Sequence, residues 1–241
     1  MKLSIRSWIT IAVTSLVGVF AFALPFIAPE ASSGWIFLVL VPMLLVLVFV
    51  QLADGDLDAK RIAVLGVLAA VVCALRPLGG GAAGIEPIWF VIVIAGRALG
   101  PGFGFTLGST SMLASALLTG GVGPWLPFQM LAAGWVGLGA GCLPRATGKH
   151  ELALTAAYGG VAAFGYGLIM NLWFAPYLVG TFASPTQLLT FAATTSLGFD
   201  LPRALLTVAL IALAGRPMLF ALRRVTQRAA FTAPVVFTTS L

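Results

Sequence analysis

The sequence predicts an all-α integral membrane protein, and its composition and its long apolar runs are the first two reasons. Of its 241 residues, 60% are hydrophobic and 8% are charged, and the mean hydropathy is +1.09. A soluble domain of this length could not bury so much apolar surface. About 20 helical residues, each rising about 1.5 Å, cross a hydrocarbon core of about 30 Å. Repeated runs of about that length therefore predict that most of this chain lies in a bilayer.

Apolar runs between helix-breaking residues predict eight membrane-spanning segments. The first run follows a basic start, as in a signal peptide, but it is longer than the usual signal core and favours a retained helix. The last run carries a predicted break at 215–217, and the stretch 184–199 is predicted to be an outer loop or re-entrant turn because it is only moderately apolar. The eight segments are 8–28, 35–53, 61–76, 86–98, 102–119, 127–143, 152–175 and 202–222.

The positions of the basic residues are the third observation, and they predict the orientation. With the N-terminus inside, all but two of the thirteen Lys and Arg residues fall on one side of the membrane, which predicts cytoplasmic termini. The net charge of +6 follows from this bias, and no basic stripe with interleaved aromatics predicts a nucleic-acid partner. The residues on the inner side are Lys2, Arg6, Lys60, Arg61, Arg97, Arg145, Lys149, Arg216, Arg223, Arg224 and Arg228.

Arg76 and Arg203 are the two exceptions, because both are predicted at outer helix ends. They can snorkel to the lipid headgroups. They can also pair locally, Arg76 with Glu86 and Arg203 with Asp200, and Asp200 also fits a helix N-cap with Pro202 in the first turn. The third interpretation is direct contact with a ligand, and the sequence leaves the three open.

Polar and aromatic residues are predicted to collect at the outer end, where the loops are 29–34, 77–85, 120–126 and 176–201. The glycine-rich loop 77–85 is predicted to fold back as a lid. Flat apolar walls with a few polar groups are typical of a small-molecule site, whereas an interfacial belt is the alternative for the aromatics. The candidate binding residues are Arg76, Glu86, Trp89, Trp125, Phe128, Gln129, Asn171, Tyr177, Asp200 and Arg203.

Catalytic and metal-binding motifs are missing from the sequence. There is no G-x-x-x-x-G-K-[ST] loop and no His or Cys cluster, and a Ser/His pair or carboxylate pair at membrane depth is not visible. We therefore expect neither an enzyme nor a bound metal or cofactor. Gly66, Ala70 and Ala74 recur every four residues on the third segment, and such faces pack within a bundle or against a partner protein.

One long stretch resembles a known family. "EPIWFVIVIAGRALGPGFGFTLGSTSMLASALLTGGVGPWLPFQMLAAGWVGLGAGCLP", 86–144, is similar to the substrate-binding S components of energy-coupling factor (ECF) transporters, especially the group related to cobalamin-type S components. The stretches "DAKRIAVLGVLAAVVCALRPLG" and "TSLGFDLPRALLTVALIALAGRP" resemble the first and last helices of that family's six-helix core. The resemblance covers roughly 58–224.

The resemblance implies a division of the chain into an N-terminal extension of two membrane helices (1–57), a six-helix core (58–224) and a cytoplasmic tail (225–241). It implies a non-catalytic subunit of a bacterial plasma-membrane importer that captures a vitamin or related micronutrient, with cobalamin as the lead, at the outer face beneath the loop 77–85. A transmembrane coupling protein and two cytosolic ATPases would be its partners. The family's Ala-x-x-x-Ala docking motif falls on Ala70 and Ala74. An ion-coupled permease acting alone and an assembly protein without a ligand are the alternative functions.

Overall fold

Eight α-helices and no strand make up the described part of the chain, which in this computed structural model is residues 3–27, 33–54, 59–79, 84–179 and 184–227. Each predicted apolar segment contains one of these helices over most of its described length. The helices are α1 (Ile5–Ile27), α2 (Ser33–Ala53), α3 (Ala59–Gly79), α4 (Ile88–Leu99), α5 (Pro101–Thr119), α6 (Leu126–Cys142), α7 (Gly148–Val179) and α8 (Pro185–Gln227).

Four of these helices are long and apolar enough to cross a membrane, which makes the chain a multi-pass membrane protein. They contain the candidate spans Ile5–Leu24, Ala59–Gly79, Gly148–Pro176 and Leu197–Val225, and shorter apolar stretches lie in α2, α4 and α6. The division into six core helices plus two extra ones and the cytoplasmic position of both termini stay predictions.

The centre of the bundle is formed by α4, α5 and α6, which meet at three glycines. A methyl group added to Gly137 would collide with the backbone of Gly104, and one added to Gly96 or Gly104 would collide with the Gly137 carbonyl. The hydrogen side chains of these glycines therefore let three helix backbones approach closely. Gly100, with φ of 104°, makes the sharp connection between α4 and α5.

Helices α1 and α2 pack on the core against α5, α6 and α7. Phe22 of α1 meets Phe128 of α6 edge to face with ring centroids 4.7 Å apart, and Phe128 lies 4.7 Å from Trp173 of α7. Gln51 of α2 is fully buried and accepts a 2.8 Å hydrogen bond from the Thr106 hydroxyl of α5. A buried amide must find such a partner in an apolar interior, so these contacts fix α2 on the core.

The prediction of an outer loop or re-entrant turn at 184–199 is wrong, because α8 is continuous from Pro185 to Gln227. Ser184 and Gln187 exchange two hydrogen bonds, from the Ser184 N–H to the Gln187 side chain (3.0 Å) and from the Gln187 N–H to the Ser184 hydroxyl (3.3 Å). This capping box starts the helix early. Threonine hydroxyls, such as that of Thr190, bond to the carbonyl four residues back, so moderate polarity does not stop the helix.

Two further predictions on α8 are corrected by its continuity. Asp200 is not an N-cap, since it lies inside the helix, and the expected break at Gly215–Pro217 does not occur. Pro202 and Pro217 each remove one backbone donor, a loss that packed membrane helices tolerate.

An ion cluster joins α4, α7 and α8 at the end of the bundle predicted to be cytoplasmic. Glu151 is 7% exposed and accepts from Arg97 Nε (2.9 Å) and from both terminal nitrogens of Arg223 (3.0 and 2.6 Å). Arg97 also donates to the Leu143 carbonyl (3.0 Å). Both oxygens of this buried carboxylate therefore help to hold three helices together.

Candidate functional site

A cavity of about 330 Å³ lies between the ends of the helices opposite to the Glu151 cluster. Side chains from α3, α5, α6, α7, α8 and the approach to α4 line it, so the site exists only when six parts of the chain come together. The predicted binding residues that line this cavity are Arg76, Glu86, Trp89, Gln129, Asn171, Asp200 and Arg203.

Arg203 is held in the cavity wall by two carboxylates. Its Nε donates to Glu86 Oε2 (2.9 Å) and its Nη2 to Glu86 Oε1 (3.3 Å), while its Nη1 donates to Asp200 Oδ1. Asn171 donates to the other Asp200 oxygen (3.2 Å), and the Trp89 indole donates to Glu86 (2.8 Å). The predicted pair of Asp200 and Arg203 is present, and a charge network this well satisfied is rigid.

The aromatic rings of Trp89 and Tyr166 flank this network, with centroids 4.1 Å apart. The Arg203 guanidinium carbon lies 6.0 Å from the Trp89 ring centroid and 5.6 Å from that of Tyr166. Arg203 is 8% exposed and Asp200 is 2% exposed. Charges placed this deep in an apolar bundle are costly, and they mark a functional site far more often than a stabilising one.

Arg76 forms a separate polar group on the α3 side of the cavity. Its Nη2 donates to Gln129 Oε1 (2.7 Å), and its Nη1 donates to the Met112 carbonyl (3.2 Å) and the Ser115 hydroxyl. The predicted pairing of Arg76 with Glu86 is wrong, because Glu86 turns to Arg203 on α8. Within the described ranges, the Arg76 guanidinium at the cavity therefore donates to neutral acceptors only.

Gly167 of α7 makes room for the Arg203 network. A methyl group at this position would overlap the Asp200 carboxylate and the Arg203 guanidinium. The absence of a side chain on α7 therefore lets a charged pair lie directly against the helix backbone.

We expect Gly167→Ala to lower the free energy of unfolding by about 1–3 kcal/mol, because the added methyl overpacks the site. Gly165→Ala is the matched control, since no atom lies within 4 Å of its added methyl. Alanine favours a helix over glycine by about 1 kcal/mol, so the control is expected to be as stable as wild type or more stable. Thermal unfolding in detergent measures both variants. Equal stability of the two would contradict the packing seen at Gly167.

Three predicted binding residues are not among the described residues that line the cavity. Trp125 is 39% exposed and its indole donates to the Gly121 carbonyl (3.2 Å). Phe128 is fully buried in the aromatic group with Phe22 and Trp173. The side chain of Tyr177 lies outside the described residues, although its backbone belongs to α7.

Sequence reasoning missed several residues that line the cavity, above all Tyr166, Phe199 and Met112. Tyr166 lies five residues before Asn171, which is about 140° round the helix, so helical spacing from Asn171 does not predict that both residues line one cavity. Phe199 lies next to Asp200, in a stretch whose moderate hydropathy predicts a loop and therefore no helical face. Met112 carries no signal in the sequence, because it differs in nothing from the other apolar residues of α5.

The loop expected to act as a lid is described only at its edges, and residues 80–83 lie outside the described ranges. Gly84 has φ of 81°, and a methyl group there would collide with the Phe199 carbonyl of α8. The end of the loop therefore lies directly against α8 at the cavity.

The exposed face of α3 carries the three residues predicted to dock a partner, Gly66, Ala70 and Ala74. Among the four long apolar helices, α3 is the least buried. No atom lies within 4 Å of a methyl group added to Gly66. Since α3 packs mainly on α5, the opposite face with its small residues is uncovered in the described structure.

Together these features define a class of protein: a multi-pass helical membrane protein with a polar cavity of small-molecule size at one end. A family model described as "ECF transporter, substrate-specific component" matches residues 60–215. The chain belongs to this family of S components, which bind a small-molecule substrate, do not catalyse a reaction and work with a membrane coupling protein and ATPases. Neither the curated proteins nor the solved structures give a match.

Proposed function

We propose that this chain captures a vitamin or related micronutrient in the cavity at the outer face of a bacterial plasma membrane. It then delivers the substrate together with a transmembrane coupling protein and two cytosolic ATPases. The observation that carries this proposal is the convergence of Arg76, Glu86, Asn171 and Arg203, from distant parts of the chain, on one cavity.

The orientation rests on which residues meet at each end of the bundle. Residues predicted to be outside, such as Arg76 and Asn171, line the cavity. Residues predicted to be inside, such as Arg97 and Arg223, meet at Glu151. This separation supports cytoplasmic termini and a cavity that opens to the outside.

The α3 face of Gly66, Ala70 and Ala74 is proposed as the docking surface for the coupling protein. Small residues let a partner helix approach closely in lipid, where packing drives association. The pair α1 and α2 packs on α5, α6 and α7, so it leaves this face open.

Cobalamin is the lead substrate on the resemblance of 86–144. The cavity size weighs against it, because about 330 Å³ is at the small end of the range of about 300–1,000 Å³ for drug-sized ligands. A corrin ring with its side groups would require α7 and α8 to separate from α3 and α5. A smaller micronutrient needs no such opening.

Co-expression with an ECF coupling module tests the proposed function. The chain is expected to capture the coupling protein and ATPases, and vesicles containing the complex are expected to take up the ligand only with ATP. Native mass spectrometry of the purified chain gives the mass of the bound ligand. Uptake by the chain alone without ATP would instead indicate a permease, and absence of both a ligand and a captured module would indicate an assembly protein.

Truncating Gln129 or Asn171 to alanine is expected to weaken ligand binding by about 1–3 kcal/mol each, because a ligand group loses its buried partner. Titration calorimetry with the ligand identified by mass gives the affinities. Gln51→Ala is the control, since Gln51 is a buried amide on α2 outside the cavity and its loss is expected to leave the affinity unchanged. Unchanged affinity in both cavity variants would exclude this cavity as the binding site.

A further inference from the structure

The cavity has two chemically different sides. On one side, formed by α3, α5 and α6, lie the Arg76 guanidinium and the Gln129 amide. On the other, formed by α7, α8 and the start of α4, two carboxylates surround Arg203. The four ionisable groups Arg76, Arg203, Glu86 and Asp200 have opposing charges that cancel in total but not on each side.

The Arg76 side carries an uncompensated positive charge. All three acceptors of Arg76 are neutral, and no ion pair to Arg76 occurs in the described part of the chain. A guanidinium in a membrane bundle pairs with a carboxylate or with backbone carbonyls, and its planar fork matches a carboxylate. Since the Gln129 oxygen accepts from Arg76, the NH₂ of Gln129 is a donor for the same anion.

The Arg203 side carries an excess of one negative charge, because Glu86 and Asp200 face a single arginine. A ligand group with a second negative charge would be repelled there, whereas an N–H or O–H group would find carboxylate acceptors. Trp89, Tyr166 and Met112 provide apolar walls between the two sides. A phosphate ester or a dicarboxylate does not fit this distribution of charge.

We propose that the ligand is a small organic monoanion, with one carboxylate bound by Arg76 and Gln129 and an N–H or O–H group directed to Glu86 and Asp200. This inference rests on the proposed function and narrows the substrate class of the same cavity. The cavity volume of about 330 Å³ predicts that this acid is compact.

Matched pairs of acids and neutral analogues test the proposal on the full-length protein in lipid nanodiscs. The probes are nicotinate and nicotinamide, biotin and biotinamide, and pantothenate and panthenol, measured by thermal shift and calorimetry. At least one acid is expected to bind the wild-type protein, and its neutral partner is expected to bind at least about 30-fold more weakly, as for a buried charge that loses its partner. This ratio is measured without any variant, so it does not depend on how a variant folds.

The variants identify which residue reads the charge. Arg76→Gln is expected to bind the acid at least about 30-fold more weakly and to lose the preference for the acid over the neutral analogue. Arg76→Lys, which keeps the charge, is expected to recover part of the affinity. Arg216→Gln removes an exposed arginine that does not line this cavity. It is expected to change neither the affinity for the acid nor the preference for the acid over its neutral analogue.

Three results would overturn the proposal: neutral analogues that bind as tightly as the acids, an acid preference that persists in Arg76→Gln, or no binding by any acid. The proposed function has its own readout. If the chain still captures the coupling module and drives ATP-dependent uptake of a neutral ligand, the result excludes a carboxylate ligand but leaves the proposed transport function intact. If the module is not captured and no ligand is bound, the transport function fails as well.

Discussion

Replacing Ala70 and Ala74 together with leucine is expected to abolish ATP-driven uptake and to leave ligand affinity unchanged. Both alanines are exposed on α3, and neither lines the cavity. A partner helix that approaches closely over small residues would be pushed away. A loss of about 1.4 kcal/mol or more in docking lowers association at least tenfold. Uptake into vesicles and calorimetry give the two values.

Leucines at Ala209 and Ala212 are the matched control, because these alanines are equally exposed but lie on α8. This double variant is expected to transport at the wild-type rate. Uptake that survives the α3 substitutions would contradict docking on this face. Loss of ligand binding along with uptake would show that the α3 variant has misfolded. Gly66→Leu alone then repeats the test on the same face, at a position where no atom lies within 4 Å of an added methyl group.

Gly137→Val is expected to prevent stable folding of the bundle. A side chain at this position collides with the Gly104 backbone and forces α5 and α6 apart at the centre of the core. Overpacking costs about 1–3 kcal/mol where side chains can move, and a collision with backbone atoms is expected to exceed that range. The measurements are the yield of monodisperse protein and its melting temperature.

Gly66→Val is the matched control for this variant, because it adds the same side chain to a helical glycine with open space around it. It is expected to change the free energy of unfolding by less than about 1 kcal/mol, because valine is no poorer a helix former than glycine. A Gly137→Val protein as stable as Gly66→Val would contradict the close helix crossing. The stability of Gly137→Ala is expected to lie between those of Gly137→Val and Gly66→Val.

The membrane helices could be predicted because they depend on local composition. Apolar runs with glycine or proline at their ends fix a helix wherever water is excluded, since the backbone must bond within the segment. The same dependence on local hydropathy explains why the sequence does not predict the start of α8. Its polar threonines lowered the local hydropathy, while the Ser184–Gln187 cap and the backbone bonds of those threonines act through hydrogen bonding, which hydropathy does not record.

The cavity could be predicted in part, because the alternation of loops places Arg76, Glu86, Asn171 and Arg203 at one end of the bundle. Alternation gives the level of a residue along the membrane but not the direction of its side chain. Phe128 and Gln129 are neighbours in the sequence, yet Phe128 packs against Phe22 in the core while Gln129 faces the cavity. That difference arises from how α6 is rotated against α1, α5 and α7.

The sequence by itself determined an all-helical membrane protein and the residues that share one end of the bundle, because bilayer thickness and charge asymmetry act on each segment separately. Only the tertiary structure decided which charges pair. Glu86 turns from Arg76, ten residues before it, to Arg203 on α8, and this leaves the Arg76 guanidinium to neutral partners at the cavity. Pairing depends on how helices distant in sequence pack together, since electrostatic energy follows distance in space.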